Sequence, residues 1–390
     1  MEFLLSFLIV MVFMFVGEWA STITKAYVPS VFVSAVLFTI GFWTILPKNV
    51  VSQASFGSEF VAVCIPILLV HLGTMMNLRQ LLDQWRAVTI ALTGTLGTVV
   101  LTLSLGTLLF DWHTVIAAIP PLTGGVVSAV LMTDGLKAAG LTTLVALPVS
   151  MFIMHSMIGY PLTSVMLKKE GKRLIKEYQT IPDKQAVINK QSSSDDNKPH
   201  KLIPEKYNTS AFMLSKVAVV GLLAILLSKW SNDAVNSNVI ALILGVIGRQ
   251  IGFLEKDILN QTKVFNWLMY GLLAYVFSQL SITTPSMMGT IIVQILVLIT
   301  LGILGMFLAS WILAKPMKMS KEMAFATSLT ALFGFPADYI LTSEVISHLT
   351  KDESEQTYLT DRMMPKMLVG GFATVSVASV IIASVFLKLL

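Results

Sequence analysis

Cysteine and charge are what this chain has least of. Its 390 residues contain one cysteine, Cys64, set inside an apolar run, so neither an intrachain disulfide nor a thiolate metal site can form. Redox chemistry is not expected. Charged residues make up only 13% of the chain against 55% hydrophobic residues, and the mean hydropathy of +0.78 lies well outside the soluble range. No soluble domain of useful size is left over. The chain also lacks a Walker-type phosphate loop, an HExxH, a GxSxG and any clustering of Cys with His. An enzyme, or a pump driven by ATP without a partner, is therefore not expected. The net charge of +5 does not imply nucleic acid, because the basic residues fall between apolar runs, where the positive-inside rule puts them.

What the chain has in abundance is apolar sequence in lengths of about 20 residues, enough to cross a hydrocarbon core of roughly 30 Å. Spans are predicted at 3–18, 29–46, 59–76, 87–110 and 143–167, then at 211–229, 236–253, 264–281, 287–313 and 366–388. The opening MEFLLSFLIVMVFMFVG lacks a basic leader and a small-residue cleavage site, and reads as a retained first span. Between the two sets lies a polar, Lys-rich stretch, 169–208, expected to be a solvated and partly disordered linker. The predicted organisation is a first repeat over 1–168, the linker, and a second repeat over 209–390.

With the N-terminus outside, Lys25, Arg79, Arg86, the linker, Arg249, Lys256, Lys263, Lys315, Lys318, Lys321, Lys351, Arg362 and Lys366 all fall inside. Little more than Lys48, Lys229 and Lys388 falls outside. This predicts a multi-pass protein of the cell membrane with external termini and a cytoplasmic linker. An odd number of spans per half makes the second half enter in the opposite sense. The expected fold is thus an all-α polytopic membrane protein of two inverted-topology repeats.

Each half carries an apolar segment broken by polar and turn-forming residues between its fourth and fifth spans, about 116–140 and 322–346. The first reads PPLTGGVVSAVLMTDG from Pro120; the second reads LFGFPADYILTSE from Leu332. Laid over one another they pair Gly124 with Gly334, Ser128 with Asp338, Leu131 with Leu341 and Asp134 with Glu344. Lipid cannot satisfy free backbone groups, so a helix broken at membrane depth must be buried in protein or line a wet cavity. Paired breaks in an inverted repeat point to the midplane site of a secondary transporter. On this reading Pro120 and Pro121 stop one half-helix, and Thr123, Gly124 and Gly125 form a re-entrant tip. Thr330 to Pro336 form the opposing tip, with Gly334 as its turn. A kinked packing helix is the alternative for either segment taken alone.

This layout of five spans, a re-entrant segment before the fifth and a long central loop resembles the bacterial sodium–glutamate symporter family and the related 2-hydroxycarboxylate transporters. The stretches VHLGTMMNLRQLL at 70–82, IGYPLTSVMLKK at 158–169 and MMPKMLVGGF at 363–372 are similar to that family as well. The resemblance implies a homodimer whose mobile units carry substrate in an elevator motion, and glutamate or another small carboxylate as cargo.

Ionisable residues at span depth are functional candidates by default. Asp338, two residues after Pro336, could join freed carbonyls of Phe333 and Gly334 around a sodium ion, with Asp134 as a weaker acid candidate. The opposing reading of Asp338 is a helix cap. Thr123, Gly124, Gly125, Ser128, Thr330 and Gly334 are the candidate substrate contacts at the tips. His155 is either a substrate or proton group or a hydrogen-bonded core residue. Arg362 and Lys366, four apart, could pair an anion or simply anchor the last span. Asp134 with Lys137 allows a local ion pair. Sodium is the expected coupling ion, no other cofactor is called for, and a channel with re-entrant selectivity loops is the alternative function.

Overall fold

The structure is a computed structural model that describes residues 2–75, 84–181, 208–231, 237–282 and 284–390. Every regular element among them is helical. In chain order they are α1 (Glu2–Ile23), α2 (Ser30–Thr44), α3 (Val50–Gln53), α4 (Ser58–Met75), α5 (Trp85–Leu109), α6 (Trp112–Ala138), α7 (Leu147–Gln179) and α8 (Ser210–Trp230). There follow α9 (Ser237–Gln250), α10 (Ile258–Gln261), α11 (Phe265–Ser278), α12 (Pro285–Ala314), α13 (Lys321–Leu329), α14 (Ala337–Leu349), α15 (Glu353–Phe372) and α16 (Ser379–Leu387). Six are long and apolar enough to cross a membrane: α1, α4, α5, α7, α8 and the Ile292–Ala314 part of α12. Helices α2 and α9 are apolar but shorter. A helix that is apolar all round must be covered by protein or by lipid. The chain is an all-α, membrane-embedded protein.

Three features depart from the pattern read in the sequence. Helix α7 runs on to Gln179, eleven residues into the stretch assigned to a linker; residues 182–207 of that stretch lie outside the described residues. Leu167, Gly171, Leu174 and Tyr178 recur at helical spacing and are buried, which is an amphipathic signal masked by the lysines around it. Helix α15 begins at Glu353, well before the apolar run, capped by Asp352, whose side chain accepts the Glu355 N–H. It joins α16 through a π turn, Ala373–Ala378.

The third departure matters most. The interruption expected at 120–125 does not occur, because α6 is helical without a break from Trp112 to Ala138 with both prolines inside it. Prolines at 120 and 121 supply no N–H to the turn before them. The carbonyls this leaves free are those of Ile116 and Ala117, one turn earlier, and both residues are buried. Beyond the prolines, Thr123 Oγ donates to the Pro120 carbonyl at 3.1 Å, and His155 Nε2 donates to the Pro121 carbonyl at 2.9 Å, which ties α6 to α7. The start of α6 is well defined too. Asp111 caps it, accepting from the Thr114 N–H at 3.0 Å and the Thr114 hydroxyl at 2.6 Å. The Thr114 hydroxyl holds this carboxyl below the usual carboxylate range.

The chain forms two compact units. The first comprises Met1–Val10, Asn49–Gln84 and Tyr178–Val276. In it α4 and α9 cross at glycines: a Cβ on Gly73 would stand 2.8 Å from Gly245 Cα. Small residues permit this backbone approach, which in lipid replaces the hydrophobic drive for helix association. Phe7, Phe56, Phe60 and Trp267 pack as an aromatic group with centroids 5.2–5.9 Å apart. His71 is buried, its Nδ1 accepting the Leu259 N–H at 3.2 Å and its Nε2 3.5 Å from Asp257. Lys216 and Glu255 make a buried ion pair that Asn208 joins.

The second unit comprises Met11–Lys48, Trp85–Glu177 and Phe277–Leu390. Its centre is the crossing of α5 and α12, where a Cβ on Gly97 would meet Gly305 C at 3.0 Å and one on Gly305 would meet Gly97 C at 2.6 Å. Thr98 Oγ donates across this crossing to the Gly302 carbonyl at 2.9 Å. Both segments of interest, and the helices that hold them, belong to this unit.

Candidate functional site

The segment 321–349 is broken. Helix α13 starts cleanly on Ser320, whose hydroxyl accepts the Met323 N–H, and ends in a 3₁₀ turn at Thr330–Leu332. The N–H groups of Phe333 and Gly334 both return to the Thr330 carbonyl, at 3.2 and 2.8 Å. Gly334 then takes φ +61°, a conformation that glycine alone adopts without steric penalty. The Phe335–Pro336 peptide is cis, and Pro336 stands at the N-cap of α14 with no side-chain cap to offer.

Two further helices close around this break. The Leu332 carbonyl, freed where the helix stops, accepts the Ser156 hydroxyl of α7 at 3.0 Å. Gly159, one turn on, lets Leu332 and Phe333 pack directly on the α7 backbone, and the Phe333 ring lies 5.2 Å from that of Tyr160. On the other side α15 presents Gly370 to Thr327 and Thr330, and Gly371 to Asp338 and Gly334. Neighbouring side chains on α7 thus reach both segments, His155 bonding α6 and Ser156 bonding the break.

Asp338 is the group with unspent capacity. It is completely buried in the first turn of α14. Its Oδ1 accepts the Tyr339 N–H at 2.7 Å, while Oδ2 has no hydrogen-bond partner among the described residues and lies against Gly371, where a Cβ would overlap it. The hydroxyls nearby are already engaged within their own helices: Thr327 to Met323, Thr330 to Thr327, Thr342 to Asp338 and Thr374 to Gly370, at 2.6–2.9 Å. A buried carboxylate oxygen without donor or countercharge is costly, and such exceptions call for an explanation. Among the described residues no three His, Cys, Asp or Glu side chains cluster as a metal site. A cation at Asp338 would need backbone and hydroxyl oxygens to complete its shell, a donor set that suits hard ions.

The remaining candidates divide between packing and the neighbourhood of the break. Gly124 is a crossing point, not a tip: a Cβ there would stand 2.7 Å from Ser379 Cα of α16. Ser128 donates to the carbonyls of Gly124 and Ser379 at 3.3 Å. Thr123 is buried, and Gly125 lies within α6. Asp134 is exposed and paired with Lys137 at 3.4 Å. Glu344 accepts the Ser30 N–H and the Ser21 hydroxyl, at 3.1 and 3.2 Å, and so caps α2 where Pro29 cannot.

Arg362 is committed to structure. It lies 3.4 Å from Glu177 and 4.5 Å from the centre of the Tyr358 ring. Lys366 differs, since its ammonium donates to the Arg362 carbonyl and makes no ion pair among the described residues. It stands one helical turn before Gly370, on the same face. Gly370, Gly371 and Ser156 were not among the residues singled out in the sequence. The Gly-Gly pair within MMPKMLVGGF was the available signal, since paired small residues in a helix of large ones mark close approach.

No protein-family model matches this chain, and no curated protein matches it either. The site's reading therefore rests on its geometry.

Proposed function

We propose that this protein is a secondary active transporter that couples a cation, sodium in the first instance, to movement of a small carboxylate such as glutamate. One observation carries the reading: a helix broken at Gly334–Pro336 holds a buried carboxylate oxygen, Asp338 Oδ2, without a hydrogen-bond partner among the described residues. A coupling cation supplies the missing charge. Lys366, one turn from the glycine that faces Thr327 and Thr330, is the cationic group available to a substrate carboxylate. The inverted repeat is part of the proposal and is supported by reciprocity. The fourth long helix of each half meets the other at Gly97 and Gly305, Gly124 of α6 packs on α16, and Leu332 and Phe333 of the break pack on α7, the last helix of the first half. The lysine and arginine distribution favours a cytoplasmic linker. The homodimer and elevator motion rest on the family resemblance alone.

The test is initial uptake of labelled carboxylates into proteoliposomes against sodium concentration, for wild type and Asp338→Asn. Saturable, sodium-dependent uptake with weakened sodium dependence in the variant is the expected result. Asparagine caps a helix about as well as aspartate, so an unchanged half-saturation returns Asp338 to a capping role. Conductance following the Nernst potential would make the protein a channel.

A further inference from the structure

Beyond its apolar part, α7 carries Lys169, Lys172, Arg173 and Lys176. At 100° per residue these four fall within an arc of about 100°, and all four are exposed. The opposite face of the same turns, with Leu167, Glu170, Leu174 and Tyr178, is buried. Arg173 is held by Glu170 and Glu177 at 2.8 and 2.9 Å, and the three lysines have no ion-pair partner among the described residues.

A second group of lysines is fastened to the same place. The Ser320 hydroxyl donates to Glu170 at 2.6 Å, which ties the turn after α12 to this part of α7. That turn carries Lys315, Lys318 and Lys321, again all exposed. Lys321 lies 3.8 Å from the centre of the Trp311 ring. Trp311, Ile312 and Leu308, just before these lysines on α12, are 43%, 72% and 50% exposed. An apolar face that ends in tryptophan and lysine has the composition of a membrane–water boundary.

We propose that the two lysine groups form one binding surface for anionic phospholipid headgroups in the leaflet where α7 emerges. Charge complementarity and continuity with the apolar face of α12 both point to lipid: acyl chains cover Leu308 and Ile312 while the phosphates reach the lysines. A basic cluster beside a transmembrane helix attracts anionic lipid by about 1 kcal/mol per lysine, which is about fivefold in affinity.

The experiment measures the melting temperature of the full chain in nanodiscs of phosphatidylcholine, with and without phosphatidylglycerol, at low and high salt. Bound lipid stabilises the folded state. Wild type should melt higher with phosphatidylglycerol, and salt should remove the difference. Lys169→Gln/Lys172→Gln/Lys176→Gln and Lys315→Gln/Lys318→Gln/Lys321→Gln should each lose most of the shift while melting like wild type in phosphatidylcholine alone. No shift in wild type, or an undiminished shift in both variants, overturns the proposal. So does an equal shift from inorganic phosphate added to phosphatidylcholine discs, which would make the surface a soluble-anion site. Should a variant fail to fold, the wild-type comparison with its salt and phosphate arms still decides.

Discussion

Replacing Gly371 by alanine tests whether the Asp338 carboxylate is a working group or a buried cap. A Cβ at 371 would overlap Asp338 Oδ2 and stand 3.3 Å from Gly334 Cα. The separation from Oδ2 falls short of the roughly 3.5 Å optimum for non-bonded heavy atoms by about 1 Å, so one group has to move. Gly334 sits in a positive-φ turn and α15 is packed on both sides, so the carboxylate is the softer of the two. Overpacking of this kind costs about 1–3 kcal/mol. If that cost falls on the state in which Asp338 faces its cation, sodium affinity drops about 5- to 150-fold. The assay is half-saturation by sodium in proteoliposome uptake, with melting temperature recorded beside it. Asp338→Ala/Gly371→Ala is the control, since removing the carboxylate removes the overlap. It should recover stability without recovering sodium dependence. If Gly371→Ala folds and its sodium half-saturation stays within about twofold of wild type, the coupling role assigned to Asp338 is wrong.

At the α6–α16 crossing, Gly124→Ala should lower the melting temperature equally with and without substrate. Overpacking there costs about 1–3 kcal/mol, and Ser379→Gly in the same chain should restore part of the loss, because Ser379 is the residue in the way. An intact melting temperature with altered substrate dependence would restore Gly124 to the transport site. Asp111→Asn should leave stability near neutrality almost unchanged, since asparagine caps comparably. The folded carboxyl titrates below its ordinary value of 3.8. Its contribution is therefore present above about pH 4 and lost as pH falls through the folded value. Melting temperature against pH should sag less in acid for the variant; identical acid limbs would show that the cap does not titrate with folding.

Sequence alone determined where the span-length apolar helices run, because apolar runs of that length have no other stable form in lipid, but not how far α7 and α15 extend into polar sequence. It also determined one break. Gly334 and Pro336 bracket Phe335, and a left-handed glycine followed by a residue without an N–H ends a helix whatever surrounds it. The matching segment contains the same residue types, two prolines and two glycines, yet runs on as one helix. That outcome was decided by tertiary contacts: α7 holds the Pro121 carbonyl through His155, and α16 packs on Gly124 through Ser379. The function of the polar side chains was decided in the same way. Asp134 and Asp338 both follow a broken-looking apolar run in the sequence, but one finds Lys137 at the surface and the other is buried, with its Oδ2 against Gly371. Arg362 and Lys366 are equivalent cations one turn apart until α7 brings Glu177 to 3.4 Å from the first, while the second makes no ion pair among the described residues. Local chemistry sets which conformations a segment tolerates, and the partners that arrive from distant parts of the chain set which of them is kept and which groups stay free to bind.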